Sequence, residues 1–143
     1  MRTCTIDANV IIKWIFPEKE HEADTVQAIN LLSAIQQGVV NILQPPHWLA
    51  ETLAVIVRLN PNITEETVTL LHAMEFPVID TPEIYHTACQ LSHRYQHHLF
   101  DTLYHAAALH HPHAQLITAD EKYYRKSYKE GAILRLAEFS TLE

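Results

Sequence analysis

Residues 3–16 read TCTIDANVIIKWIF. Thr3 to Ile6 is a short β-capable run ending at Asp7, and Ala8 to Phe16 is an apolar helical segment carrying one lysine and stopped by Pro17. A strand that ends on an acid and passes straight into an apolar helix is the opening of an α/β unit, and the rest of the chain repeats the alternation. His21 to Gln37 places Val26, Ile29, Leu32 and Ile35 on one helical face, with Gly38 as C-cap. Val39 to Leu43 reads as a strand. Pro45 and Pro46 open a very apolar helix, His47 to Leu59, expected to be largely buried. Thr64 caps the next helix, with Glu65 and Glu66 in its first turn. Pro77 to Ile79 reads as a short strand. Thr81-Pro82-Glu83 starts a helix that carries Ile84, Ala88, Leu91 and Tyr95 inward. Asp101 to His111 is a further helix stopped by Pro112, and Gln115 to Ala119 a strand ending at Asp120. Glu121 to Lys129 is a short polar helix, and Ile133 to Leu136 the last strand. The pattern predicts one α/β domain over residues 1–143, with a mostly parallel central sheet flanked on both faces by helices. Ligands of such sheets bind beyond the carboxyl ends of the strands, where Asp7 and Asp120 fall.

Composition removes several function classes. The two glycines, Gly38 and Gly131, lie too far apart for a P-loop or a dinucleotide-binding turn. The two cysteines, Cys4 and Cys89, cannot build a disulfide scaffold or a four-thiolate zinc site. No apolar run is long enough to span a membrane, and the opening MRTCTIDANV lacks the apolar core of a signal peptide, so a cytoplasmic protein is expected. The net charge of −7, with the 11 histidines neutral, argues from bulk charge against nucleic-acid binding.

Four carboxylates stand out. Asp7, Asp101 and Asp120 each sit where an N-cap would sit, and capping alone would explain each of them. Glu51 is different. It lies in PPHWLAETLAVIVRL, where an unpaired carboxylate in a buried helix is costly, and Arg58 is two turns away. A hard divalent cation such as Mg²⁺ or Mn²⁺ takes oxygen ligands, and a phosphodiester under attack needs its charge neutralised. Acids brought together from different elements can meet both needs without a glycine loop.

With these residues in place the chain resembles the PIN-domain ribonucleases, and among them the VapC-type toxins of bacterial toxin–antitoxin pairs. TIDANVIIKWIFPE is similar to the first family motif, PPHWLAETLAVIVR to the second, FDTLYHAAAL to the third and LITADEKYYRK to the fourth. The resemblance implies a three-layer αβα PIN-like fold and a Mg²⁺- or Mn²⁺-dependent endoribonuclease. It assigns Asp7, Glu51, Asp101 and Asp120 to a catalytic metal site, with Asn9, Thr118 and Tyr104 in support. It also implies a homodimer and inhibition by a small antitoxin. Phe100 departs from the pattern, standing where the family often has Tyr before the third acid.

Five of the ten Lys and Arg residues, Lys122, Arg125, Lys126, Lys129 and Arg135, follow Asp120, interleaved with Tyr123, Tyr124 and Tyr128. Lys122, Arg125 and Lys126, together with Lys13, are expected to contact RNA phosphates, and the tyrosines either stack on bases or join the core. His105 shares a helix face with Asp101 and is expected to approach the metal site from behind. The other histidines of this region, His97, His98, His110, His111 and His113, are read as facing solvent or RNA, because no HExxH pattern is present. The helices around Trp48–Leu59 and Thr67–Met74 are expected to form an antitoxin groove or a dimer face. Two rival readings remain: a receiver-like phosphoacceptor, which lacks its second acid and its lysine here, and a non-catalytic RNA- or protein-binding module on the same fold.

Overall fold

The computed structural model describes residues 2–17 and 24–141. Among the described residues four strands, β1 (Arg2–Ile6), β2 (Val40–Ile42), β3 (Ala114–Thr118) and β4 (Ile133–Arg135), form one sheet in the order β2-β1-β3-β4. All three pairings are parallel. Successive residues of β1 from Thr3 to Ile6 are buried, so both faces of the central strand are covered, as a parallel sheet requires. The helices are α1 (Ala8–Ile15), α2 (Asp24–Gln36), α3 (Trp48–Leu59), α4 (Thr64–Ala73), α5 (Pro82–Tyr95), α6 (Leu99–Leu109) and α7 (Glu121–Ser127). They complete three layers, with helices on both faces of the sheet. The main core joins α1, α2, α3 and the sheet, and a smaller cluster of Ile84, Ala88, Leu103 and Ala106 locks α5 to α6.

Several local expectations are corrected. Pro77 to Ile79 is not a strand: a single parallel bridge joins Val78 to Gln44, whose backbone N–H donates to Pro77 O and whose C=O accepts from Ile79 N–H, while the Gln44 side chain clamps both the N–H and the C=O of Ile6. In α2 the buried positions are Ala28, Leu31 and Ala34, while Val26 and Ile29 are exposed. The small alanines permit close approach, and the Trp14 indole N–H donates to Ala28 O at 2.8 Å. The expected start of this helix at His21 lies outside the described residues. Gly38 does close it, at φ 76°, with Val39 N–H returning to Ala34 O.

The helix over residues 47–59 begins at Trp48 and is not largely buried. Trp48, Thr52 and Ile56 are buried, but Val57 and Leu59 are about half exposed because α1 and α4 flank only part of its surface. Thr64 does not cap α4; it is the first helical residue, and its hydroxyl donates back to Pro61 O. The helix expected from Asp101 runs from Leu99 to Leu109, capped by the His98 ring, which accepts from Phe100 N–H. The last two elements are shorter than read, with 3₁₀ turns at Tyr128–Glu130 and Leu136–Glu138.

Candidate metal centre

β1 ends inside the molecule, and this carries Asp7 to the carboxyl edge of the sheet. Asp7 stands at the cap position of α1 but makes no side-chain cap. Its Oδ2 instead accepts a 2.9 Å hydrogen bond from Thr118 Oγ1, at the end of β3. Thr118 Oγ1 also accepts from Asp120 N–H at 3.0 Å, and Asn9 Oδ1 accepts from Ala119 N–H at 3.2 Å. Neighbouring parallel strands thus lock the loops after β1 and β3 together. Asp120 is a true cap, its Oδ1 accepting from Tyr123 N–H at 2.9 Å. Asp101 is not a cap but lies in the first turn of α6, where the helix dipole favours its charge.

These elements enclose a cleft of about 510 Å³ lined by Asp7, Asn9, Lys13, Glu51, Asp101 and Asp120, with Ile12 and Val55 as apolar walls. Carboxylate oxygens of Asp7, Glu51 and Asp101 lie within 4.8 Å of one another. Asp120 is not in that trio; it groups with Asp101 and His97 over the same span. Burial, with the Asp101 charge added, pushes the Asp7 carboxyl up to about 7 despite the Thr118 hydrogen bond. Burial also raises Glu51, although that residue is only half-buried. The Tyr104 hydroxyl is fully buried and faces the Glu51 carboxylate, yet it makes no well-formed hydrogen bond. Desolvation and the surrounding acids raise its pKa further.

The donor set fits a hard divalent cation. Like charges forced together in a partly dry cleft, beside an orphaned hydroxyl, are held at a cost that a bound cation would relieve. Asp7, Glu51 and Asp101 would hold it.

Two histidines exchange the roles expected of them. His105 lies in the core behind the site. Its Nε2–H donates to Gly131 O at 2.8 Å, and its Nδ1 accepts from the Tyr123 hydroxyl at 2.7 Å, so both nitrogens are spent on structure. His97, read as facing solvent or RNA, reaches the acids, with Nε2 at 3.1 Å from Asp101 Oδ2 and 3.6 Å from Asp120 Oδ2. The readable signal was its spacing of four before Asp101. His47, also unremarked in the sequence, donates from Nε2–H to Phe100 O at 2.7 Å and packs on the Tyr104 ring at 4.8 Å.

Of the basic residues, Lys122 and Arg125 are exposed on α7, and Lys126 is half-buried with Nζ 3.4 Å from His97 Nδ1. Lys13 is buried in the cleft wall, 3.8 Å from Asp24. Tyr123 belongs to the core, whereas Tyr124 and Tyr128 stack at 6.0 Å on the outside.

The acids gather at the carboxyl edge of the four-stranded parallel sheet, and the chain matches the PIN domain over residues 4–128. The protein belongs to the PIN domain family. Among solved structures it is similar to a chain described as "Toxin-antitoxin complex from Klebsiella pneumoniae", at 17% identity and a TM-score of 0.61, covering 95% of this chain and 99% of that one. No curated protein matches the sequence. Among the described residues, no helix is long and apolar enough to cross a membrane.

Proposed function

We propose that the protein is a Mg²⁺- or Mn²⁺-dependent endoribonuclease, the toxin of a VapBC-type toxin–antitoxin pair. The observation that carries the reading is the convergence of Asp7, Glu51 and Asp101 oxygens within 4.8 Å in an open cleft, with Asp120 alongside. A divalent cation bound there would acidify a water and neutralise charge building on a phosphodiester. Asp7, held by Thr118, and Asp101, held by α6, fix the direction from which the carboxylates face the phosphate. Asn9 fixes the loop after β3, and Tyr104 forms the dry floor beneath Glu51. Water attacks phosphorus in line: one P–O bond forms, the P–O3′ bond breaks, and the products carry a 5′-phosphate and a 3′-hydroxyl. No side chain forms a covalent intermediate.

Lys122, Arg125 and Lys126 supply the positive charge that an acidic protein needs at the substrate path, and exposed Tyr128 offers a stacking face. A small antitoxin and a second copy of the chain are the expected protein partners. Similarity to a chain from a toxin–antitoxin complex supports the first. The exposed Val57, Leu59, Val68 and Leu70 of α3 and α4 give such a partner an apolar surface. A basic side chain from the antitoxin would find the acidic cleft complementary.

The test is cleavage of a single-stranded RNA with Mg²⁺ or Mn²⁺, with Asp7→Asn and Asp101→Asn as controls. Cleavage lost in both folded variants and in EDTA supports the reading. Full activity in either variant sinks the assignment. RNA retained in EDTA, with no cleavage under any divalent metal, favours a non-catalytic binding module instead.

A further inference from the structure

Aromatic rings gather on the side of the cleft where α3 and α6 begin. Phe100 is half exposed, and its ring lies 5.1 Å from that of His98 and 5.6 Å from that of His47. His47 in turn packs 4.8 Å from the Tyr104 ring, which is buried and faces the Glu51 carboxylate. The rings therefore run without a break from solvent to the metal centre. A single apolar side chain on a surface needs no explanation, but a run of rings that ends at a cluster of acids does.

The backbone holds this run rigid. His47 Nε2–H donates to Phe100 O at 2.7 Å, and the His98 ring accepts from Phe100 N–H at 3.3 Å, so both backbone groups of Phe100 are pinned. Asp101 and Thr102 N–H both return to His98 O at 3.1 Å and close the first turn of α6. Glu51 N–H returns to His47 O at 3.0 Å, one turn along α3. The two helix starts that set Glu51 and Asp101 thus also set the rings beside them. Successive side chains leave a helix about 100° apart, so Phe100 is directed away from the acids while Asp101 lines the cleft. Its ring stands at the lip. Burial lowers the His47 pKa, which favours a neutral ring beneath it.

We propose that Phe100, flanked by His98 and His47, is a stacking platform for one unpaired nucleobase of an RNA strand whose phosphate lies at the acids. The inference rests on the cleft being a ribonuclease centre, and adds the residue that seats the substrate and the form of RNA it favours. A phosphate at the acids needs a cation between them. The attached base is neutral and flat, and ionised carboxylates offer it acceptors only. An apolar ring one residue from Asp101 gives that base a face beside its own phosphate. In a duplex both faces of a base are covered by its neighbours, so the platform selects single strands and loops. Stacking reads no base edge, so it positions the strand without imposing a sequence.

Photocrosslinking tests this on the full wild-type chain, with an oligouridylate that carries one 5-iodouridine and with Ca²⁺ as the hard cation. Irradiated iodouracil couples to an aromatic ring stacked on it, and the adduct should map to Phe100 or His98. Cleavage kinetics on single-stranded RNA in Mg²⁺ or Mn²⁺ give the second readout. In Phe100→Ala, KM should rise at least about fivefold, the weak end of base stacking on an aromatic ring, with kcat near wild type. Phe100→Tyr keeps the flat face and should restore KM. Phe100→Leu keeps only the apolar bulk and should not. With the base removed from each position of the strand in turn, one abasic substrate should weaken wild type but not Phe100→Ala. The adduct is read on wild type and needs no variant to fold. An adduct confined to Tyr124 or Tyr128, or no adduct on a chain that cleaves RNA, overturns the platform and leaves the nuclease reading standing. So does an unchanged KM in Phe100→Ala, or a Phe100→Leu chain that behaves as wild type, as would suit a protein partner on this patch. Failure of wild type both to form an adduct and to cleave RNA overturns both.

Discussion

Thr118 Oγ1 and Asp7 Oδ2, 111 positions apart, meet in a 2.9 Å hydrogen bond that ties the ends of β1 and β3 together. The same oxygen accepts from Asp120 N–H, so a single hydroxyl spaces two of the acids. It also favours the ionised form of Asp7 against burial. Thr118→Val keeps the shape and removes the hydroxyl. It should raise the Asp7 pKa further, leave Asp120 N–H without its partner and cost about 1–3 kcal/mol of stability. Thr118→Ser should restore most of the loss. Urea midpoints and the pH dependence of Mg²⁺ binding measure both.

Asp7 itself strains the metal-free protein. Its folded pKa of about 7 lies above the ordinary carboxylate range, so the folded state holds this proton more tightly than the unfolded chain does. The resulting destabilisation is absent below the unfolded pKa, grows as pH rises, and is complete above about 7. Asp7→Asn should therefore stabilise the metal-free protein at pH 8, by a gain capped at about 4 kcal/mol, and change little at pH 4. The same variant should lose cleavage. Thermal melts in EDTA at the two pH values, repeated with Mg²⁺, test the sign. With the cation, the wild type should recover and the variant should not.

His105 gives the opposite sign. Burial lowers its pKa, and its two hydrogen bonds are those of a neutral ring. Its contribution to stability is present above the unfolded pKa, about 6.5, and is lost as pH falls toward the lower folded value. His105→Asn should cost about 1–3 kcal/mol at pH 7.5, from unpaired Tyr123 and Gly131 groups. The gap to wild type should narrow at pH 5. A constant gap across that range would contradict a buried neutral histidine.

Leu59 and Leu70 are about half exposed, on α3 and α4. Leu59→Glu with Leu70→Glu should leave stability within about 0.5 kcal/mol for each change. Association with an antitoxin or a second copy should fall by at least about tenfold, the loss of one well-buried contact worth 1.4 kcal/mol. Light scattering and co-purification with the neighbouring open reading frame provide the readout.

The parallel sheet was legible because each strand announced itself by an apolar β-branched run between helices. Three of the acids could be found as strand-end or helix-start residues, and Glu51 as a lone charge on an apolar helix. Their meeting could not be derived from any one stretch. It depends on β1 lying between β2 and β3, a long-range pairing that leaves no local trace. Helix faces were less legible. α2 buries alanines rather than its β-branched residues, since close packing against Trp14 rewards small side chains. α3 keeps apolar side chains outside, and hydrophobicity alone does not distinguish a core from an interface. His97 was misplaced because α6 begins two residues before Asp101, which brings the preceding turn against the acids.

The central position of β1 also sets an order of events during synthesis. β1 is made early, but its partner β3 and the acid that follows it come more than a hundred residues later. A nascent chain released into the tunnel mouth before Thr118 cannot close the sheet or complete the pocket. On the proposed function, cleavage would therefore have to wait until β3 and Asp120 have been made.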